Sequence, residues 1–131
     1  METVHVPGRT PGGHYAFATA HDGLVFTAGH LPVVAGGHEL AKAGFEAQVR
    51  QTFRNLFDTL AAANAGPQDV LRVTVFVVGM DHWAPFNALF AEIFGEHRPA
   101  RTVVPVPELH YGYLVEIEAI AAQPRDGNEV A

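Results

Sequence analysis

The chain has 131 residues, carries 8 Lys and Arg against 14 Asp and Glu for a formal net charge of -6, and contains no cysteine. That length predicts a single domain over residues 1–131, with a core at about 12–122 and a flexible tail over 123–131. The missing thiols exclude a disulfide framework and thiolate chemistry, and the acidic balance, with Lys42 as the single lysine, argues against a nucleic-acid partner.

No run approaches the roughly 20 apolar residues of a membrane helix, so no membrane partner is expected. With no secretory signal in view, the cytoplasm is the expected compartment. Residues 1–13, with two prolines and three of the glycines after position 7, read as an extended lead-in. Tyr15 to Ala20 and Leu24 to Ala28 predict two strands joined at His21-Asp22-Gly23, since Asp-Gly between apolar runs favours a hairpin. Pro32 to Gly37 reads as a loop. Phe45, Val49, Phe53, Leu56, Phe57 and Leu60 then recur at steps of three and four, which predicts a long helix. Glu46, Gln48, Arg50, Gln51, Arg54 and Asp58 fall on its other face, and Asn64 to Pro67 ends it through Gly66 and Pro67.

Val70 to Val78 is nearly continuous in β-branched residues, which predicts a strand buried on both faces. Asp81 stands where a cap is needed for a second helix, marked by Trp83, Phe86, Leu89, Phe90, Ile93 and Phe94 and stopped by Gly95. Arg98-Pro99 leads into a strand beginning near Arg101, and Leu114 to Ala121 forms the last. Strands interleaved with helices predict an α+β fold, a mixed sheet with two helices on one face. In the last strand Val115, Ile117 and Ala119 point one way, and Leu114, Glu116, Glu118 and Ile120 the other. The second face is too apolar for open water and too charged for a dry core. It predicts a subunit interface with a polar cleft, hence a closed homo-oligomer.

Chemistry concentrates in the same region. The Arg101 guanidinium offers a planar fork that fits a carboxylate, and Glu116 a group able to aim water or handle a proton. Together they point to a small-anion site with hydrolytic chemistry. The plain alternative is a structural ion pair of Arg101 with Glu116 or Glu118 across neighbouring strands. Eight histidines show no His-x-His or His-Glu-x-x-His spacing, so no metal site is expected.

Gly13-His14-Tyr15, Leu24-Val25-Phe26-Thr27-Ala28-Gly29-His30-Leu31-Pro32, Val73-Thr74-Val75-Phe76-Val77, Phe86-Asn87, Arg98-Pro99-Ala100-Arg101-Thr102 and Val115 to Ala121 follow one another in a familiar order. Over about Gly12 to Ala122 the chain resembles the reactive-intermediate deaminase family, also called Rid or YjgF-like. The resemblance implies a chorismate-mutase-like α+β fold, a homotrimer with sites at subunit clefts, and no cofactor. It implies hydrolysis of reactive imines or enamines, such as 2-aminoacrylate, to 2-keto acids and ammonia.

Carried over by position, the resemblance makes Arg101 the group that binds the substrate carboxylate and Glu116 the group that positions water. Tyr15 would line the site, Gly29 would bring its backbone to the ligand, Asn87 would stand near the cleft, and Val103 would offer main-chain hydrogen bonds. The family commonly has Tyr-Ser-Gln-Ala where this chain has Tyr15-Ala16-Phe17-Ala18, Ser-Gly-Gln where it has Ala28-Gly29-His30, and a serine at Thr102. His30 therefore enters the expected substrate-binding set, as an acid or base facing the cleft. These departures fit a reshaped pocket, so a pathway-specific deaminase of a larger, aminomuconate-like enamine stands as an alternative. A non-catalytic trimer that binds small carboxylates is another, and a ribonuclease fits the charge least.

Overall fold

A computed structural model gives the structure of residues 1–35 and 37–124. The expected tail therefore lies mostly outside the described residues. The strands are β1 (Glu2–Val4), β2 (Ala18–His21), β3 (Leu24–Thr27), β4 (Val70–Val78), β5 (Ala100–Val106) and β6 (Val115–Ala122), and the helices α1 (Phe45–Ala62) and α2 (Trp83–Phe94). They form one six-stranded sheet in the order β1-β2-β3-β6-β4-β5. All pairings are antiparallel except β4 with β5, which α2 connects as a crossover between parallel neighbours.

Local chemistry explains the boundaries. Asp22 and Gly23 both take positive φ, 51° and 79°, as a two-residue hairpin turn requires. The helix α1 stops at the start of the Asn64 to Pro67 stretch: Asn64 adopts φ 62°, and the Ala65 N–H returns to the Leu60 carbonyl. Gly95, at φ 64°, ends α2. Asp81 does not cap that helix, whose N-cap is His82 without a side-chain capping bond. The β2 strand starts at Ala18, leaving Tyr15 to Phe17 irregular, and β1 forms inside the expected lead-in by pairing Glu2 with Ala20 and Val4 with Ala18.

The helices cover one sheet face. Val25, Val73, Val75, Val77, Val115, Ile117 and Ala121 are fully buried there with Val49, Leu56, Leu60 and Phe86. The opposite face carries Phe26, Thr74, Phe76, Glu116, Glu118 and Ile120, matched across the strands by the pairs Phe26–Ile120, Thr74–Glu118 and Phe76–Glu116. Phe26 is exposed and the others are half-buried, so β4 is fully buried on one face only, not on both as its composition predicts. The alternation predicted for β6 is present.

One row of α1 departs from its predicted polarity. Gln48, Thr52, Asn55 and Thr59, spaced by four, three and four residues, are all buried, whereas the pattern put Gln48 toward solvent. Each finds partners, as a buried polar group must. The Gln48 amide donates to the Ala43 carbonyl and accepts from the Leu114 N–H, while the Asn55 amide donates to the Leu31 and Val33 carbonyls. The helix thereby fixes the segments that flank Gly29 and lead into Glu116.

Candidate active site

Two groups of candidate residues emerge, and the sheet separates them. The first centres on Arg101. Its pairing with Val73 in the parallel ladder turns its side chain to the helix-covered face, beneath α2. One guanidinium nitrogen donates to Asn87 Oδ1 at 3.0 Å. The guanidinium carbon lies 4.8 Å from the Phe90 ring centre, 5.8 Å from Trp83 and 5.9 Å from Phe86. Such faces hold a cation through their negative quadrupole without consuming its hydrogen bonds. Among the described residues no carboxylate lies within ion-pair reach of Arg101, while Arg9 has Asp58 and Arg50 has Glu46 and Glu92. The fork keeps donors to offer.

Val103 lies two residues further along β5, which is an edge of the sheet. In a strand, the N–H and C=O of one residue leave on the same side, and those of the next on the other. The ladder with β4 runs through Pro105 to Val106, although proline has no N–H to give it. Pro105 therefore faces outward, and Val103, with the same parity, presents its N–H and C=O on the free edge.

The second group lies across β4, on the open face. A Cβ built on Gly29 would stand 2.9 Å from both the carboxyl carbon and Oε2 of Glu116. The carboxyl group therefore rests directly on the glycine backbone. Burial pushes the Glu116 carboxyl above its ordinary pKa, with the Glu118 charge adding to the rise and His110 opposing it. Tyr15 is 51% exposed, its ring edge-on to Phe17 at 6.3 Å between centres. The Phe17 carbonyl accepts the Ala28 N–H at 2.8 Å, which ties the Tyr15 segment to Gly29. Tyr15 also lines a cleft of about 440 Å³ with Val4, Val6 and Phe17, but neither Arg101 nor Glu116 borders it.

The structure does not bring Arg101 and Glu116 together in one chain. β4 lies between β5 and β6, and the two side chains leave opposite faces. This overturns the cross-strand ion pair with Glu116 or Glu118. His30 also requires correction. It pairs with Ile117 through both main-chain groups, so its ring turns to the helix side and is only 5% exposed, away from Glu116. The imidazole cannot act as an acid or base in a cleft on the open face. Phe17, the other departure from the family pattern, packs on it at 5.9 Å. The aromatic cradle of Arg101 was not foreseen, since Trp83, Phe86 and Phe90 served only to mark a helix in the sequence. Trp83, Phe86, Asn87 and Phe90 share one helical face, and a β–α–β crossover sets that face over the following strand.

A family model described as Endoribonuclease L-PSP matches residues 8–123. The chain belongs to this family, the Rid or YjgF-like proteins. A RutC family protein of Pyrococcus horikoshii is 39% identical over 111 residues, 85% of this chain and 88% of its own length. Escherichia coli TdcF, provisionally named a reactive intermediate deaminase, is 31% identical over 126 residues, 94% of this chain and 95% of its own. The crystal structure of TdcF with bound serine superposes with a TM-score of 0.79 at 30% identity, covering 94% of this chain and 97% of that one. The E. coli YjgF product gives a TM-score of 0.84 at 30% identity, with 95% and 100% covered. The α+β mixed sheet with two helices on one face is thus the Rid fold. No helix among the described residues is long and apolar enough to cross a membrane.

Proposed function

We propose that this Rid protein hydrolyses reactive 2-imino or enamine acids to 2-keto acids and ammonia, at sites shared between copies of a homotrimer. The observation that carries the reading is the separation of its two half-sites. Arg101, Asn87 and the Val103 edge lie on one side of β4, and Glu116 with Gly29 on the other. A second copy, packed on the half-buried open face, would set the carboxylate of one chain against the guanidinium of another. The partly apolar character of that face supports this assembly.

In such a site Arg101 holds the substrate carboxylate with charge-assisted hydrogen bonds, and the Val103 edge and the Gly29 backbone fix the imine end. Glu116 orients a water molecule toward the imine carbon. Water oxygen bonds to that carbon as the C=N π pair moves to nitrogen, and Glu116 relays the two water protons in turn to that nitrogen, so the C–N bond breaks, the C=O bond forms and NH3 leaves. A carboxyl raised by burial takes up a proton more readily than an exposed one, which suits it to relaying protons in the reaction. Imines hydrolyse unaided, so positioning suffices for the rate required. The endoribonuclease description finds little support in a chain with a net charge of -6.

Subunit complementation tests both parts of the reading. Arg101→Ala and Glu116→Gln are each expected to abolish imine hydrolysis, followed by semicarbazone formation from enzymatically generated 2-iminopropanoate. Refolding the two inactive variants together in equal amounts should restore about a quarter of wild-type turnover, because half of the copies supply each intact group. Zero recovery from a mixture that has assembled would refute the shared site. Undiminished activity of either variant alone would refute the chemistry.

A further inference from the structure

His30 makes more ordered contacts than a core filler needs. Its Nδ1 lies 2.8 Å from the Ala28 carbonyl and its Nε2 2.7 Å from the Thr59 hydroxyl of α1. A carbonyl only accepts, so Nδ1 carries the proton. Burial lowers the pKa of the ring, leaving Nε2 unprotonated to accept from the Thr59 O–H. The same Ala28 carbonyl also receives the Thr27 hydroxyl at 2.9 Å, and the Ala28 N–H is held by the Phe17 carbonyl. Both sides of residue 28 are therefore tied down.

The consequence falls on Gly29. In a trans peptide the C=O and the following N–H point in opposite directions. With the Ala28 carbonyl drawn toward the helix side by His30, the Gly29 N–H faces the open side, where the Glu116 carboxyl rests on the same glycine. Among the described residues that N–H has no acceptor. His30 further locks its own N–H and C=O to Ile117, the residue after Glu116, at 2.7 and 3.0 Å. The register of Gly29 against Glu116 is thus set from both sides.

We propose that His30 is a positioning residue: its imidazole, braced on Thr59, orients the Ala28–Gly29 peptide so that the Gly29 N–H and the Glu116 carboxyl converge on the open face. This rests on the reading that substrate binds there. The two departures Phe17 and His30 then form one packed unit behind the site, with ring centres 5.9 Å apart.

His30→Leu keeps the bulk and removes both hydrogen bonds, whereas His30→Gln keeps an amide that can donate to Ala28 and accept from Thr59. The readouts are kcat/KM for imine hydrolysis, the Gly29 amide resonance, and the Glu116 carboxyl titration followed by NMR. His30→Leu should lower kcat/KM by roughly 10- to 100-fold, the scale of a misplacement near an ångström, and shift both resonances. His30→Gln should restore most of each. A folded His30→Leu protein with wild-type turnover and an unmoved Gly29 amide would overturn the proposal, as would a Gln variant impaired as severely as Leu. If His30→Leu does not fold, Thr59→Val, which removes only the far brace, decides. A moved Gly29 amide with reduced kcat/KM supports the role, and wild-type values for both refute it. Should the wild type turn over no imine, the deaminase reading fails, and the two NMR readouts still decide the role of His30.

Discussion

Gly29→Ala isolates the contact on which the open-face half-site depends. The added methyl would lie 2.9 Å from the carboxyl carbon and Oε2 of Glu116, and 3.2 Å from its Cγ. Ordinary van der Waals contact begins near 3.4 Å, so the carboxyl must move by about half an ångström to one ångström. The backbone at residue 29 does not need a positive φ, and the obstructing atoms end a flexible side chain. The fold should therefore lose little, about 0.5–1.5 kcal/mol for a strained Glu116 rotamer. Catalysis should lose more, because a misplacement near 1 Å costs on the order of 100-fold. Thermal unfolding and the semicarbazone assay on the same preparation measure the two effects. The double variant Gly29→Ala/Glu116→Gln should be no slower than Glu116→Gln alone, since both changes act on one carboxyl. Wild-type kcat/KM in Gly29→Ala, or a loss of stability as large as the loss of activity, would refute the reasoning.

Four further predictions rest on the electrostatics and packing described above. Because burial raises the folded-state pKa of Glu116, its charged form opposes folding above that pKa and not below the unfolded value; Glu116→Gln should raise Tm around pH 8 and leave it unchanged around pH 4, checked by calorimetry. In the wild type, turnover should fall as pH drops through that raised pKa, and a flat acid limb would count against Glu116 as the base. Arg101→Lys keeps the charge and loses the planar fork and its aromatic seat, so KM should rise about tenfold or more, with Asn87→Ala showing a smaller rise in the same assay. Phe53 is 2% exposed and its ring meets those of Phe57, Phe86, Phe90 and Phe94; Phe53→Ala should cost about 3–5 kcal/mol in urea unfolding, and a loss under about 1 kcal/mol would remove it from the centre of the core.

Periodic signals survived the passage from sequence to structure. The three-and-four spacing of Val49, Phe53, Leu56 and Leu60 became the buried stripe of α1, and the alternation in β6 became its two faces. What periodicity does not encode is which strands adjoin. β5 and β6 are consecutive in sequence, yet β4 lies between them, because α2 carries the chain back to a parallel partner. That single fact sends Arg101 and Glu116 to opposite faces. The side on which His30 lies was equally hidden, since it follows from a two-bond bridge to Ile117 that no local pattern announces. Gln48 reads as solvent-facing, but the Ala43 carbonyl and the Leu114 N–H that it engages make its burial favourable. β1 escaped notice because a run of three residues carries almost no strand signal, and only pairing with β2 orders them.

Pro105 has a consequence beyond the orientation of Val103. A sheet margin lined with free amides and carbonyls invites another chain to extend it, and repeated extension ends in fibres. Here one margin is interrupted by a residue with no hydrogen to donate, and the other is only three residues long. Growth by adding strands is discouraged at both ends, so the molecule can keep a sticky flat surface without seeding an endless polymer.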